Sequence, residues 1–414
     1  MAGKTTRSKK LQAVKEEAED VNIGGTKLDL KDLEKAGFTI LENSTYASVD
    51  NRIPTGLVPF DLTMGGGIPM GRVMEIAAPN GVGKSNLAVQ MLKMAISMNV
   101  KVSMLDVEGT ADKEHLAEMG VDLSKVFVKQ NDPKDPSAMS VEAVGEAIES
   151  VIDLFSKYNE PVLIIWDSAG ATPGKKTLES GFDNEQPGIQ AKAITKVIQK
   201  VGPKITGSKS SLVVINQVRD TIGGMSFIKS FDTPGGRALE HSYSLRYMLG
   251  KMGDLKSGQE YMGHKVKFTN KKSKVSKPFQ KAEQLLYGGM GFNEMVNIIY
   301  TAEQLKMVSV PSGGGRKIVV PDKETGESVK YPYFDFLDTI STPEGAEEFM
   351  YFLKPLFHKI VKYYFPVEFP PLNNTEIDIT VNPLYEGLED IYKEEPAEDN
   401  KEEGTKASTE DKTE

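Results

Sequence analysis

Ala78-Pro79-Asn80-Gly81-Val82-Gly83-Lys84-Ser85 decides the fold of this 414-residue chain. Gly83, Lys84 and Ser85 match the second half of the phosphate-loop pattern Gly-x-x-x-x-Gly-Lys-Ser/Thr, with Gly81 as an additional glycine. Glycine lets backbone N–H groups turn inward around phosphate oxygens. Lys84 is the residue to reach the β- and γ-phosphates of ATP, and the Ser85 hydroxyl is the one to ligate Mg²⁺. Pro79, Asn80 and Val82 complete the loop, and Asn86 follows in the next turn. Ala78 replaces the first glycine of the pattern, so the backbone there must keep φ below zero.

The flanks supply the context that the motif requires. Val73–Ala77 is a short apolar run of strand formers, and Leu87, Met91, Leu92 and Ala95 recur at helical spacing after it. Strand, loop and helix in that order aim a helix N-terminus at the phosphates.

Further out, strands and helices alternate. Strands are expected at 73–77, 101–106, 126–129, 161–167, 211–216, 245–250, 264–270 and 283–287. Helices are expected at 84–98, 112–119, 141–157 and 189–202. In 141–157, Val141, Val144, Ile148, Ile152 and Phe155 form one face and Glu142, Glu146 and Glu149 the other. Residues 161–167 are apolar at nearly every position, as a strand covered on both faces should be. The fold class is therefore α/β, a P-loop core with a central, mostly parallel sheet flanked by helices. Residues 1–48 read as a small N-terminal segment, 49–300 as the core, 301–387 as a small C-terminal region and 388–414 as an acidic, disordered tail. Within 301–387, the stretch 310–332 reads as a long loop or hairpin and 343–365 as helical.

Composition narrows the function. The chain has no cysteine, which excludes a disulfide framework, cysteine-ligated zinc and a cysteine nucleophile. Its four histidines show no metal-ligand spacing. No apolar run approaches the roughly 18 residues of a membrane span, so no membrane partner and a cytoplasmic location are expected. The net charge is −9, but residues 391–414 carry nine acids against four lysines. Basic stretches elsewhere can therefore still meet phosphate.

Two carboxylate positions complete the expected site. Asp167 ends the apolar strand 161–167, where a carboxylate holds Mg²⁺ from the sheet edge. Asp106 and Glu108 end the strand 101–106. Hydrolysis needs one carboxylate to orient and deprotonate water. Spacing alone does not order the two; Glu108 is the candidate, and Asp106 a supporting or structural group. Two segments break the strand–helix rhythm, Thr172–Gly188 and Arg219–Gly236. Each follows the C-terminal end of a strand, the edge where ligands bind in such sheets.

With these residues in place, the chain resembles the RecA family of homologous-recombination ATPases. The motifs occur in family order: Thr55-Gly56 with Phe60-Asp61, Gly66-Gly67-Ile68-Pro69-Met70-Gly71-Arg72, Asp106-Val107-Glu108, Gly120-Val121-Asp122 and Ile165-Trp166-Asp167-Ser168. Val214-Ile215-Asn216-Gln217-Val218-Arg219, Gly235-Gly236-Arg237-Ala238-Leu239 and Lys272-Ser273-Lys274 ahead of Pro278-Phe279 follow. They span about residues 50–290. The resemblance implies a DNA-dependent ATPase that forms a helical filament on single-stranded DNA and exchanges strands with a homologous duplex. It makes Glu108 the catalytic glutamate and Gln217 the sensor of the γ-phosphate. Asp112 and His115 fall where the family contacts adenine, and Lys272 and Lys274 where a neighbouring protomer's ATP is reached. Thr172–Gly188 and Arg219–Gly236 become the two DNA loops. Arg219, Met225, Phe227, Lys229, Gly235, Gly236 and Arg237 are the DNA-binding candidates. Met225, Phe227 and Ile228 either wedge between bases or pack back onto the domain.

The resemblance also implies a mediator or loader and a single-strand-binding protein as partners. Glu240 and His241 stand where bacterial members have a lysine and an aromatic, and the chain after about 300 departs from them. In these respects it is most like UvsX-type bacteriophage recombinases, whose location is the host cytoplasm. The alternative on the same core is a hexameric helicase or ring ATPase motor. The acidic tail is expected to compete with DNA for the basic loops or to bind a basic partner.

Overall fold

A computed structural model of the chain describes residues 20–23, 26–29, 33, 35–39, 49–109, 111–179, 188–218, 236–311 and 315–393. The chain divides into two units, Met1–Val49 and Asp50–Glu414. In the first, Asp20–Ile23 pairs antiparallel with Thr26–Asp29, Asp20 opposite Asp29 and Ile23 opposite Thr26.

The second unit is built on eight strands: β1 (Val73–Ala78), β2 (Lys101–Asp106), β3 (Val126–Gln130), β4 (Val162–Asp167), β5 (Ser210–Gln217), β6 (Leu245–Ser257), β7 (Glu260–Ser273) and β8 (Lys281–Tyr287). Their spatial order is β8-β7-β6-β1-β5-β4-β2-β3. The pairs from β6 through β3 are parallel; β7 runs antiparallel to both β6 and β8. The expected α/β architecture with a mostly parallel sheet is the one observed.

Alternation along the strands separates two cores. Val162, Ile164 and Trp166 of β4, with Leu212 and Val214 of β5, join α2 (Val141–Lys157) and α3 (Ile189–Thr206) on one face. Leu163, Ile165, Val213 and Ile215 join α1 (Lys84–Ser97) on the other. Each strand is thus apolar on both sides because helices cover both sides. Ser140 caps α2, its hydroxyl accepting from the Ala143 N–H at 3.3 Å.

Several element boundaries depart from the sequence expectation. Helix α3 continues past 202 through Pro203 to Thr206. Its buried stripe of Ile194, Ile198, Val201 and Ile205 runs across the proline, so packing outweighs the hydrogen bond that proline removes. The segment expected at 112–119 is helical over Lys113–Glu118, because Asp112 serves as its N-cap. Strands β6 and β7 extend well beyond 250 and before 264 as a projecting hairpin, closed at Gly258 with φ +62°. Its outer residues are mostly exposed and so lack the apolar alternation by which a strand is recognised.

The region after 300 shares the α1 core. Lys317–Pro321 and Ser328–Pro332 form a hairpin, followed by helices Tyr333–Ser341, Pro343–Glu348 and Met350–Tyr364. Phe336, Leu337, Phe357 and Ile360 pack into the same cluster as Leu87 and Met91. Leu388–Tyr392, the first five residues of the tail read as disordered, forms a 3₁₀ turn with Leu388 buried; 394–414 lie outside the described residues. Among the described residues no helix is long and apolar enough to cross a membrane.

Candidate phosphate and catalytic site

Strands β1, β5, β4 and β2 are consecutive neighbours, so their C-terminal ends meet at one sheet edge. Ala78 stands opposite Gln217, and Asp106 opposite Asp167. The edge opens into a cavity of about 360 Å³. Asn80, Gly81, Gly83, Lys84, Ser85 and Asn86 line one side, and Glu108, Asp167 and Gln217 the other.

The loop has the geometry that binds anions. Gly81 and Gly83 have φ of +73° and +101°. Gly83 precedes α1 without any side-chain cap, which leaves the first N–H groups of a 14-residue helix facing the cavity. Ala78 is the final residue of β1 and is absent from the residues with positive φ, as its side chain requires. Lys84 Nζ donates to the carbonyls of Ala78 (3.2 Å) and Pro79 (3.1 Å). Burial lowers its pKa below the ordinary lysine value, and the Asp167 and Glu108 carboxylates oppose that shift. A Cβ on Gly83 would sit 2.1 Å from Leu286 Cδ1, so the Leu286 side chain of β8 packs against the loop where a larger residue would force it aside.

Asp167 is buried, and desolvation raises its pKa to about 6; a hydrogen bond from Ser85 works against the shift, and the Glu108 and Asp106 carboxylates add to it. Its Oδ2 has no hydrogen-bond partner. A buried carboxylate oxygen without a donor, beside a serine hydroxyl, fits a hard cation. Among the described residues no cluster of three or more His, Cys, Asp or Glu side chains could hold a metal ion. Ser85 and Asp167 therefore suit a cation that takes its other ligands from phosphate and water, as Mg²⁺ does.

Glu108 and Asp106 separate by their partners. Asp106 Oδ2 accepts from the Ala111 N–H (3.1 Å) and from Gln130 Nε2 (2.9 Å), which braces the turn after β2. Glu108 lines the cavity, and its Oε1 accepts from Ser168 Oγ (2.6 Å) and Gln217 Nε2 (2.8 Å). Neither donor touches Oε2. Ser168 and Leu286 carry no motif role in the sequence, and only the position of Ser168 directly after Asp167 marks either of them.

The remaining candidates lie elsewhere. Asp112 Oδ1 accepts from the His115 N–H at 2.8 Å, His115 Nδ1 is 3.9 Å from Glu118, and neither residue lines the cavity. Pro79 and Val82 belong to the loop but not to the cavity wall. Lys272 Nζ donates to the carbonyls of Glu240 (2.6 Å) and His241 (3.2 Å), and Lys274 Nζ to His241 (3.0 Å). These carbonyls end α4 (Gly236–Ser242), so both lysines sit at a helix C-terminus, away from their own phosphate loop. Burial, with Lys274 and Arg246 nearby, lowers the Lys272 pKa. Gly236 and Arg237 open α4. Arg219, Met225, Phe227, Ile228, Lys229 and Gly235 lie outside the described residues.

The fold and the loop define a P-loop α/β core. Residues 27–293, well over half of the chain, match the family model described as the RecA N-terminal domain, and the chain belongs to the RecA family. It is similar to Protein RecA of Thermus aquaticus, 32% identical over 252 residues, which is 60% of this chain and 71% of that protein. Protein RecA of Aquifex pyrophilus is 32% identical over 258 residues (62% and 71%), and that of Rhodopirellula baltica 33% over 263 residues (63% and 67%).

Proposed function

We propose that the protein is a DNA-dependent ATPase that polymerises on single-stranded DNA and carries out homologous pairing and strand exchange. The observation that carries this reading is the bond from Gln217 to Glu108. The last residue of β5, two positions before the segment proposed to bind DNA, holds Glu108, which among the described residues is the one cavity-lining carboxylate besides Asp167. Occupancy of that segment and the chemistry of water attack then share one contact.

The roles proposed combine the cavity's geometry with the family resemblance. Lys84 and the loop N–H groups hold the β- and γ-phosphates. Ser85 and Asp167 hold Mg²⁺, which when bound neutralises developing charge on the phosphates. Glu108, fixed through Oε1, offers Oε2 to orient water and take its proton. The products are ADP and phosphate. Lys272 and Lys274 serve a neighbour's nucleotide, which makes ATP an interfacial ligand and the assembly a filament. Asp112 and His115 border the adenine end. The 1–48 segment is the oligomerisation arm, and a loader and a single-strand-binding protein are the partners such a filament requires. The departures at Glu240 and His241, and a C-terminal third beyond the family match, support a UvsX-type subfamily.

The test is ATP hydrolysis with and without single-stranded DNA, paired with negative-stain microscopy. DNA-stimulated hydrolysis and helical filaments support the reading. Closed rings indicate a hexameric motor, and hydrolysis indifferent to DNA removes the recombinase assignment.

A further inference from the structure

One oxygen of Glu108 gathers two donors that arrive from different strands. Gln217 reaches it from the end of β5, and Ser168 from the residue after β4. Ser168 belongs to a second line of bonds. Its carbonyl accepts from Thr172 Oγ1 at 2.8 Å, and Thr172 Oγ1 accepts from Trp166 Nε1 at 2.8 Å. From the far flank of the 172–188 segment, Gln190 Nε2 donates to the carbonyls of Gly170 (3.0 Å) and Thr172 (2.7 Å). Trp166, Ser168 and Thr172 are fully buried.

We propose that Ser168 is a positioning residue for Glu108, and that the line Gln190–Thr172–Ser168 couples both flanks of the 172–188 segment to that carboxylate. The inference rests on Glu108 being the hydrolytic base and adds a route that does not pass through Gln217. A glutamate on the surface of a cavity is free to turn about its side-chain torsions. Two donors on Oε1 remove that freedom and leave Oε2 toward the nucleophile. The Ser168 hydroxyl is buried and its bond goes to a carboxylate, so it is both short and strong. The line is directional as well. Thr172 has one hydroxyl proton and gives it to the Ser168 carbonyl, so toward Trp166 it can only accept. Moving Thr172 therefore drags the Ser168 backbone, and with it the hydroxyl on Glu108.

The experiment measures steady-state ATP hydrolysis with and without single-stranded DNA, together with affinity for a fluorescent ATP analogue. The variants are Ser168→Ala, Ser168→Thr, Thr172→Val and Gln190→Met. Ser168→Ala is expected to lower the DNA-stimulated kcat about tenfold, as for loss of a hydrogen bond to a charged group, with KM and analogue affinity unchanged. Ser168→Thr, which keeps the hydroxyl, restores most of that rate. Gln190→Met keeps the DNA-free rate and loses most of the stimulation, whereas Thr172→Val, which also frees the Ser168 carbonyl, lowers both rates. Gln190 is half-buried, which leaves a readable variant if Thr172→Val does not fold. A stimulated wild type with Ser168→Ala at full kcat overturns this proposal alone. So does a loss of kcat that merely follows lost nucleotide affinity. A wild type that DNA does not stimulate removes the functional reading and the proposal with it.

Discussion

Arg246 Nε lies 2.6 Å from Glu75 Oε2 and so ties β6 to the strand that feeds the phosphate loop. Glu75 is 1% exposed, and its other oxygen accepts from Asn216 Nδ2 at 2.9 Å, one residue before Gln217. Arg246 also reaches Glu240 at 2.9 Å, in the helix whose C-terminus holds Lys272 and Lys274. A buried carboxylate inside a parallel sheet is costly alone. Here it is held from both neighbouring strands.

Removing one partner of this pair should therefore cost more than removing both. Arg246→Met leaves the Glu75 charge buried and is expected to destabilise by about 3–5 kcal/mol. Glu75→Leu combined with Arg246→Met should recover a large part of that loss. Chemical denaturation of the two variants, with unchanged slope, provides the check. Equal destabilisation of the single and double variants would assign the cost to lost packing instead.

Asp167 should trade stability for function. Its pKa is raised from 3.8 to about 6 by burial, so folding favours the protonated form. That contribution is complete below pH 3.8 and is lost as pH rises through 6. At pH 7 the ionised, buried carboxylate costs up to about 3 kcal/mol. Asp167→Asn should therefore be more stable than wild type at pH 7 without nucleotide, with the gain vanishing near pH 4. The same variant should lose Mg²⁺-dependent hydrolysis. Thermal melts across pH, compared between the two proteins, test the sign.

Two glycines in the loop should respond differently to alanine. Gly81 has φ +73° and open space around a would-be Cβ, so Gly81→Ala should cost about 1–2 kcal/mol from backbone strain alone. Gly83 combines φ +101° with a 2.1 Å approach to Leu286. Gly83→Ala should displace β8 from the loop and abolish nucleotide binding. Adding Leu286→Ala should restore stability in part, without restoring the strained φ. Denaturation midpoints and nucleotide affinity distinguish the two positions.

Much of the central sheet could be read from residue pattern because its strands are buried on both faces. The run 161–166 is apolar throughout ahead of Asp167, and β4 occupies Val162–Asp167. Pattern failed where burial does not mark structure. The exposed outer half of the β6–β7 hairpin carries Lys251, Asp254 and Lys256, and nothing in their spacing signals a strand. The phosphate loop was legible because glycine and lysine spacing is local. The contacts of Glu108 were not, since Ser168 and Gln217 are 60 and 109 residues away. Chain spacing orders such residues only after the strand order is known. Asp106 shows the same limit: its role as a brace became readable through Gln130, a partner on the neighbouring strand.

The central claim is that nucleotide is shared between protomers, with Lys84 on one side and Lys272 and Lys274 on the other. The most direct measurement is DNA-stimulated ATP hydrolysis by Lys84→Ala, by Lys274→Ala, and by an equimolar mixture of the two. Each variant alone should be inactive. In a head-to-tail filament that mixes at random, about one quarter of the interfaces join two intact halves. The mixture should then regain about that fraction of the wild-type rate, whereas a rate no greater than the average of the separate variants would contradict the account.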